Sequence, residues 1–210
     1  MKNTAETIPS GGSARSFMSI RQLTVTAMLS AVSFVLMGLD FSVPLMPSFI
    51  KMDLSDFPAL LAAFSFGPIS GVFVCLIKNL LHLMQTQTGG VGELANFMLG
   101  VCYVVPAGLI YNKHKTRGNA VIGALVGSAA MAAGSLITNY FITYPVYYKF
   151  LPEEAVLGMY REILPSVSSI FMALLIFNVP FTLIKALLCS AVVFPLYKPL
   201  SPVLKGKNNI

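Results

Sequence analysis

Residues 53–100 read DLSDFPALLAAFSFGPISGVFVCLIKNLLHLMQTQTGGVGELANFMLG. Two apolar runs are interrupted in this stretch by Asp53, Asp56, Lys78, Asn79, His82, Glu93 and Asn96, and Gly67-Pro68 splits the first of them. An ionisable group in or beside a bilayer costs a few kcal/mol unless it is paired or hydrated, so such residues mark a functional site by default. The remainder of the chain reads as the frame around them.

The chain has 210 residues, 56% hydrophobic and only 10% charged, with a mean hydropathy of +0.77. Soluble domains carry roughly 25% charged residues, so this composition belongs to an integral membrane protein. The apolar segments are long runs rather than alternating strands, which excludes an outer-membrane barrel. No nucleic-acid partner is expected. Cys75, Cys102 and Cys189 lie inside apolar runs without CxxC spacing, and read as small buried hydrophobes rather than a disulfide framework or metal site. The polar residues 1–17, rich in Ser, Thr and Gly, read as a flexible cytoplasmic tail and not as a cleaved signal, because no small-residue cleavage site follows a short apolar run.

The apolar runs are Ile20–Leu39, Phe57–Met84, Leu94–Tyr111, Ala120 to about Tyr148, and Val167 to about Leu196. Charge decides how many helices they make. Basic loops stay cytoplasmic, and three clusters must share that side: Arg15 with Arg21, the loop Lys113, Lys115 and Arg117, and the tail Lys198, Lys205 and Lys207. This requires an even number of spans before residue 113, so one of the three preceding runs is two helices. Gly67-Pro68 nominates residues 57–84, divided into about 54–66 and 68–84. The expected fold is all-α, six transmembrane helices with both termini cytoplasmic, over residues 18–198, followed by a basic cytoplasmic tail, 199–210. That arrangement places nine basic residues and one acid inside, against five basic and seven acidic elsewhere.

The loop after the first helix carries Phe41, Val43, Leu45, Met46, Phe49 and Ile50 between Pro44 and Pro47, and so many apolar side chains should fold back onto the protein. Ala27 and Ala31 on the first helix, and Gly123, Gly127, Ala130 and Gly134 on the fifth, form small-residue stripes that let another helix approach closely. For the fifth helix internal packing is the expected use. For Ala27 and Ala31 internal packing and a partner protein both stand.

Enzyme chemistry finds little support. There is no GxxxxGK[ST] P-loop, and Gly90-x-Gly92-x-x-Ala95 follows no strand, so it is no dinucleotide site. His82 and His114 are too few for a multi-histidine metal centre, and no GxSxG elbow supports a hydrolase. What remains are side chains that orient a ligand. Asp53 and Asp56 lie on the first loop, and Lys78, Asn79 and His82 near the end of helix three. Glu93 and Asn96 share a face, as do Asn178, Thr182 and Lys185 at i, i+4 and i+7. Asn139, Tyr140 and Tyr144 lie toward the outer end of helix five. A mostly apolar pocket with a few aimed polar groups suits a flat, neutral, polar-edged molecule. The structural reading of the same residues has Lys78 pairing with Glu93 and Asp56 capping the helix that begins at Phe57-Pro58.

Taken in order, K-x-D-x-S-D-x-P-x-L (51–60), G-P (67–68), I-K-N-L-L-H (77–82) and G-E-L-A-N-F (92–97) resemble the substrate-binding (S) components of energy-coupling factor vitamin importers, the riboflavin-specific branch most closely, over Arg21 to Tyr197. The resemblance implies six helices in the plasma membrane of a prokaryote and high-affinity riboflavin binding from outside. It also implies no catalysis and no cofactor in this chain, with a transmembrane T component and two cytoplasmic ATPase subunits as partners in the bilayer. It places the T-component contact on Ala27 and Ala31. The ligand contacts fall on the first loop (Leu45, Met46, Phe49, Asp53) and on Asn139, Asn178, Thr182 and Lys185, with Lys78, Asn79, Glu93 and Asn96 around them. The family's asparagine three residues before the lysine is Thr182 here, and Asn178, one turn earlier, is placed to compensate. An S component for another vitamin, a membrane-embedded enzyme using Glu93 and His82, and a purely structural scaffold are the alternatives.

Overall fold

The computed structural model describes residues 18–44, 46, 47, 50–86 and 89–205. Helix α1 (Ile20–Gly38) begins at Ser19, whose hydroxyl accepts the Gln22 N–H at 3.2 Å. The loop that follows folds back as a hairpin, β1 (Phe41–Ser42) pairing antiparallel with β2 (Lys51–Met52). This small departure from an all-helical chain has a simple cause, since a backbone that re-enters a membrane protein must pair its own polar groups. Helices α2 (Asp56–Phe66) and α3 (Pro68–His82) are separated by Gly67 alone. Its φ of +108° is open to glycine without strain, and Pro68 is preset for the first turn of α3. The split that the charge pattern demands therefore exists, close to the expected boundaries.

Helix α4 (Val91–Lys113) and α5 (Arg117–Thr138) form the next pair. One wide π turn, Asn139–Thr143, carries α5 without a break into α6 (Tyr144–Tyr147). After α7 (Glu153–Ile163) comes α8 (Ile170–Ala173), which runs through a second π turn, Leu174–Asn178, into α9 (Val179–Lys205). That last helix continues through Pro199 and Pro202, past the boundary expected at 198. The region between helices five and six is not plain loop: α7 buries Val156, Leu157 and Tyr160 and presents Glu153, Glu154 and Arg161 outward.

Among the described residues five helical stretches are long and apolar enough to cross a membrane: 20–38, 68–85, 91–113, 117–147 and 170–202. Helix α2 is not one of them. At 1.5 Å per residue it reaches about 16 Å, half of a roughly 30 Å hydrocarbon core, and Ala59, Leu60, Ala62 and Ala63 have no exposed surface at all. It is the buried centre, packed by α1, α3, α4 and α9. The outer surfaces are apolar instead, with Leu23, Val35, Leu125, Ile137, Phe141 and Ile184 all more than half exposed.

Lipid tails are as apolar as leucine, so close backbone approach and interhelical hydrogen bonds hold such a bundle together. A Cβ on Gly127 would stand 2.5 Å from the Tyr103 carbonyl oxygen, and one on Gly123 2.8 Å from that of Ala107. The glycine stripe of α5 thus seats it on α4. The Tyr103 hydroxyl donates to the Ala186 carbonyl at 2.9 Å and lies 2.7 Å from Ser190 Oγ, tying α4 to α9. Helix α1 instead turns Thr26, Ser30, Ser33 and Met37 inward and leaves Ala27 and Ala31 exposed, so internal packing does not account for those two alanines.

Candidate ligand-binding site

The hairpin loop ends inside the bundle, at charged groups. Asp53 and Lys185 are 7% exposed, and Asp56 and Lys78 not at all. Lys185 Nζ lies 2.8 Å from Asp53 Oδ2 and 3.5 Å from Asp56 Oδ2. The Lys78 ammonium pairs with Asp56 Oδ1 and donates to Ser55 Oγ at 2.7 Å. The Ser55 N–H donates to Asp53 Oδ1 at 2.8 Å, and Ser33 of α1 donates to the Ser55 carbonyl. Two acids from the loop and the start of α2 thus face two lysines from α3 and α9 with no net charge, the condition under which buried ions are tolerated. Burial acts to raise the Asp53 carboxyl, but the Lys185 and Lys78 ammonium groups and the hydrogen bonds from Lys185 and Ser55 outweigh it and hold it below the usual carboxylate range.

Two sequence-level pairings change. Lys78 meets Asp56, not Glu93, and Asp56 is not an N-cap: it occupies the first turn of α2, after Ser55. An ammonium in a dry interior demands a counter-ion more strongly than a helix start demands a cap. Glu93 is engaged elsewhere, its Oε1 2.9 Å from His82 Nδ1 and its Oε2 accepting from Thr86 Oγ1 at 2.9 Å.

Above this ion network opens a cavity of about 570 Å³, lined by Asp53, Glu93, Asn96, Asn139, Asn178, Thr182 and Lys185, with Tyr144, Tyr147 and Phe181 supplying aromatic wall. Its volume lies in the range of small-molecule sites, roughly 300–1,000 Å³. These seven polar residues, together with His82 and Tyr144, were singled out in the sequence and converge from the loop, α3, α4, the two π turns, α6 and α9. Lys78, Asn79 and Met46 do not line the cavity. Lys78 stands behind Asp56, and Asn79 donates to the Cys75 carbonyl at 2.7 Å. Leu45 and Phe49 lie outside the described residues.

Both π turns fall at this cavity: Asn139 opens the first and Asn178 closes the second. A π turn inserts one extra residue and so rotates the face that follows, a device frequent at functional sites. It brings Asn139, Thr143, Tyr144 and Tyr147 to one wall. Among the described residues no side-chain hydrogen bond engages Asn139 or Thr182, which leaves both available to a ligand. Asn178 is oriented from behind, because the Tyr160 hydroxyl donates to its Oδ1 at 2.9 Å and pairs in turn with the Tyr144 hydroxyl. With its oxygen so occupied, the Asn178 NH₂ is the half of the amide left for the cavity.

Tyr160 carries no cavity surface and escaped the sequence reading; its signal was a tyrosine in line with Val156 and Leu157 on the apolar face of residues 153–163. Tyr160→Phe keeps the packing and removes the hydrogen bonds to Asn178 and Tyr144. It is expected to weaken ligand binding about fivefold, the equivalent of one ordinary hydrogen bond, without unfolding the protein; a ligand titration beside a thermal melt checks both halves. Asp40, and Lys51 at the head of the 51–60 motif, were not among the expected ligand residues, yet both line the cavity and face each other at 3.2 Å across the hairpin.

These features define a multi-pass membrane protein with a polar-lined cavity, of a size for one small molecule, at one end of its helix bundle. Residues 21–197 match the family described as "ECF transporter, substrate-specific component", and the chain belongs to that family. It is 32% identical over 185 residues to the riboflavin transporter RibU of Staphylococcus aureus (strain TCH60), an alignment covering 88% of this chain and 93% of that protein. It is 33% identical over 195 residues to the riboflavin transporter FmnP of Bacillus subtilis (strain 168), covering 91% and 98% respectively. A solved chain reported under "Structure and mechanism of the S component of a bacterial ECF transporter" matches the fold with a TM-score of 0.70 at 32% identity, over 88% of this chain and 98% of that one.

Proposed function

We propose that this chain is the riboflavin-binding subunit of an ATP-driven energy-coupling factor importer in the plasma membrane of a prokaryote. The observation that carries the reading is the cavity itself, where the uncommitted Asn139 and Thr182 side chains stand with Lys185 and the oriented Asn178 beside an aromatic wall. The pyrimidine edge of the isoalloxazine ring offers acceptor, donor and acceptor in a row. Lys185 and the Asn178 NH₂ supply donors to it, and the Asn139 amide supplies either partner. Tyr144, Tyr147 and Phe181 flank the ring, and Glu93, His82 and Asn96 are placed for the ribityl hydroxyls. In this reading riboflavin is cargo and not a cofactor, and no reaction is catalysed.

The proposed topology has six membrane-embedded helical segments with both termini cytoplasmic. Supporting it, Lys115, Arg117 and Lys198 line a single groove that shares no residue with the ligand cavity, as the positive-inside rule requires of loops on one side. Helix α2 crosses only half the bilayer because the hairpin loop descends from outside to meet it. The exposed Ala27/Ala31 face of α1 receives the T component, and two cytoplasmic ATPase subunits supply the ATP chemistry. Ser33, two residues beyond Ala31 and on the opposite, buried face of α1, bonds the Ser55 carbonyl, so the docking helix and the ligand loop are mechanically joined.

The test is an absorbance spectrum of the detergent-purified protein, followed by riboflavin fluorescence quenching. Flavin bands released on denaturation are expected. Asn139→Ala should weaken binding about tenfold and Lys185→Met about a hundredfold, as befits a neutral and a charged hydrogen bond. A colourless preparation that leaves riboflavin fluorescence unquenched ends the riboflavin reading.

A further inference from the structure

At the end of the bundle away from the ligand cavity, the loop before α5, the first turn of α5 and the last turns of α9 enclose a groove of about 730 Å³. Its floor is aromatic. The rings of Phe64 and Tyr111 lie 4.8 Å apart and those of Tyr111 and Tyr197 5.7 Å, and the Tyr111 hydroxyl donates to that of Tyr197 at 2.9 Å. Its rim is cationic, with Lys115, Arg117 and Lys198 beside the hydroxyls of Thr116 and Ser201. Its sides include Val121 and Phe194, 45% and 37% exposed on the lateral surfaces of α5 and α9.

No ion pair among the described residues engages these three cations. Every described acid lies elsewhere: Asp40, Asp53, Asp56 and Glu93 belong to the ligand cavity and the ion network beneath it, and Glu153, Glu154 and Glu162 to α7. The groove thus offers positive charge that no described acid compensates, set above an apolar floor that opens sideways toward lipid. A soluble phosphate would use only the rim.

We propose that this groove binds an anionic phospholipid of the cytoplasmic leaflet. The lipid phosphate sits among Lys115, Arg117 and Lys198, with the Arg117 guanidinium able to grip two of its oxygens, and the upper acyl chain lies over the half-buried Tyr197 and leaves past Val121 and Phe194. Juxtamembrane basic residues attract anionic headgroups in just this position. Bound there, the lipid bridges the inner ends of α5 and α9.

The full chain, delipidated in neutral detergent, is titrated with phosphatidylglycerol, phosphatidylcholine or inorganic phosphate, bound lipid being counted by native mass spectrometry and stability followed by thermal melting. The same is done for Lys115→Gln/Arg117→Gln/Lys198→Gln, whose folding is verified by its own melt in lipid-free detergent. Phosphatidylglycerol is expected to bind and raise the melting temperature of the natural chain, phosphatidylcholine to do neither, and the triple variant to bind phosphatidylglycerol on the order of a hundredfold more weakly. Equal binding of the two lipids, or undiminished phosphatidylglycerol binding by the variant, overturns the proposal. Inorganic phosphate reproducing the full stabilisation overturns it in favour of a soluble anion.

Discussion

Lys78→Met is expected to destabilise the folded protein by about 3–5 kcal/mol, the cost of leaving one partner of a buried ion pair alone. The lysine has no exposed surface, and its ammonium is shared by Asp56 and Ser55. Methionine fills much the same space, so packing changes little and the loss is electrostatic. Asp56 then keeps only Lys185, 3.5 Å away. That lysine is drawn from Asp53 toward Asp56 and away from the cavity, so ligand affinity should fall although the mutated residue never touches the cavity. Lys78→Met combined with Asp56→Leu should recover most of the stability, because removing both charges of a buried pair is often neutral. Denaturant titration in detergent decides the matter: a single variant within about 1 kcal/mol of the natural protein would show that the pair is hydrated and the account wrong.

Gly127→Val should cost about 3 kcal/mol or more, at or beyond the top of the usual range for overpacking. The obstruction is the Tyr103 carbonyl oxygen, 2.5 Å from the new Cβ, and a backbone atom inside a helix cannot rotate aside. Relief requires α4 and α5 to part, and Tyr103 also holds α9 through Ala186 and Ser190, so the disturbance reaches the helix that carries Thr182 and Lys185. Gly134→Ala is the control. Its Cβ meets a side-chain atom, Cys102 Sγ at 3.1 Å, which can give way, while alanine's better helix propensity returns up to about 1 kcal/mol. Thermal melts of the two variants should differ clearly, and equal melting temperatures would refute the close α4–α5 seat.

Much of the candidate site was legible in the sequence because a polar residue in an apolar helix is conspicuous wherever it lies. Asn139, Asn178, Thr182 and Lys185 stood out on that ground alone, and the structure brings all four to one cavity. Lys78 and Asn79 stood out equally and yet lie away from it. Conspicuousness does not distinguish a residue that meets a ligand from one that meets another residue, and the choice between Asp56 and Glu93 as the partner of Lys78 turns on how α2 is threaded through the bundle. Tyr160 was hidden for the opposite reason: a tyrosine on an apolar face is ordinary, and its importance comes from one hydrogen bond to a residue eighteen positions on.

Membrane residence, the division of the second apolar run at Gly67-Pro68 and the shared side of the 113–117 loop and Lys198 were all readable from the linear order. Apolar length, chain breaks and charge asymmetry are properties of the linear order and survive any packing. The tertiary structure alone decided that α2 is a buried half-length core helix, that Asp53 and Asp56 face Lys185 and Lys78, and that Asn139 and Asn178 look into the same space. Side-chain direction in a helix follows from the phase of its turns, and each π turn shifts that phase by an amount no regular periodicity anticipates.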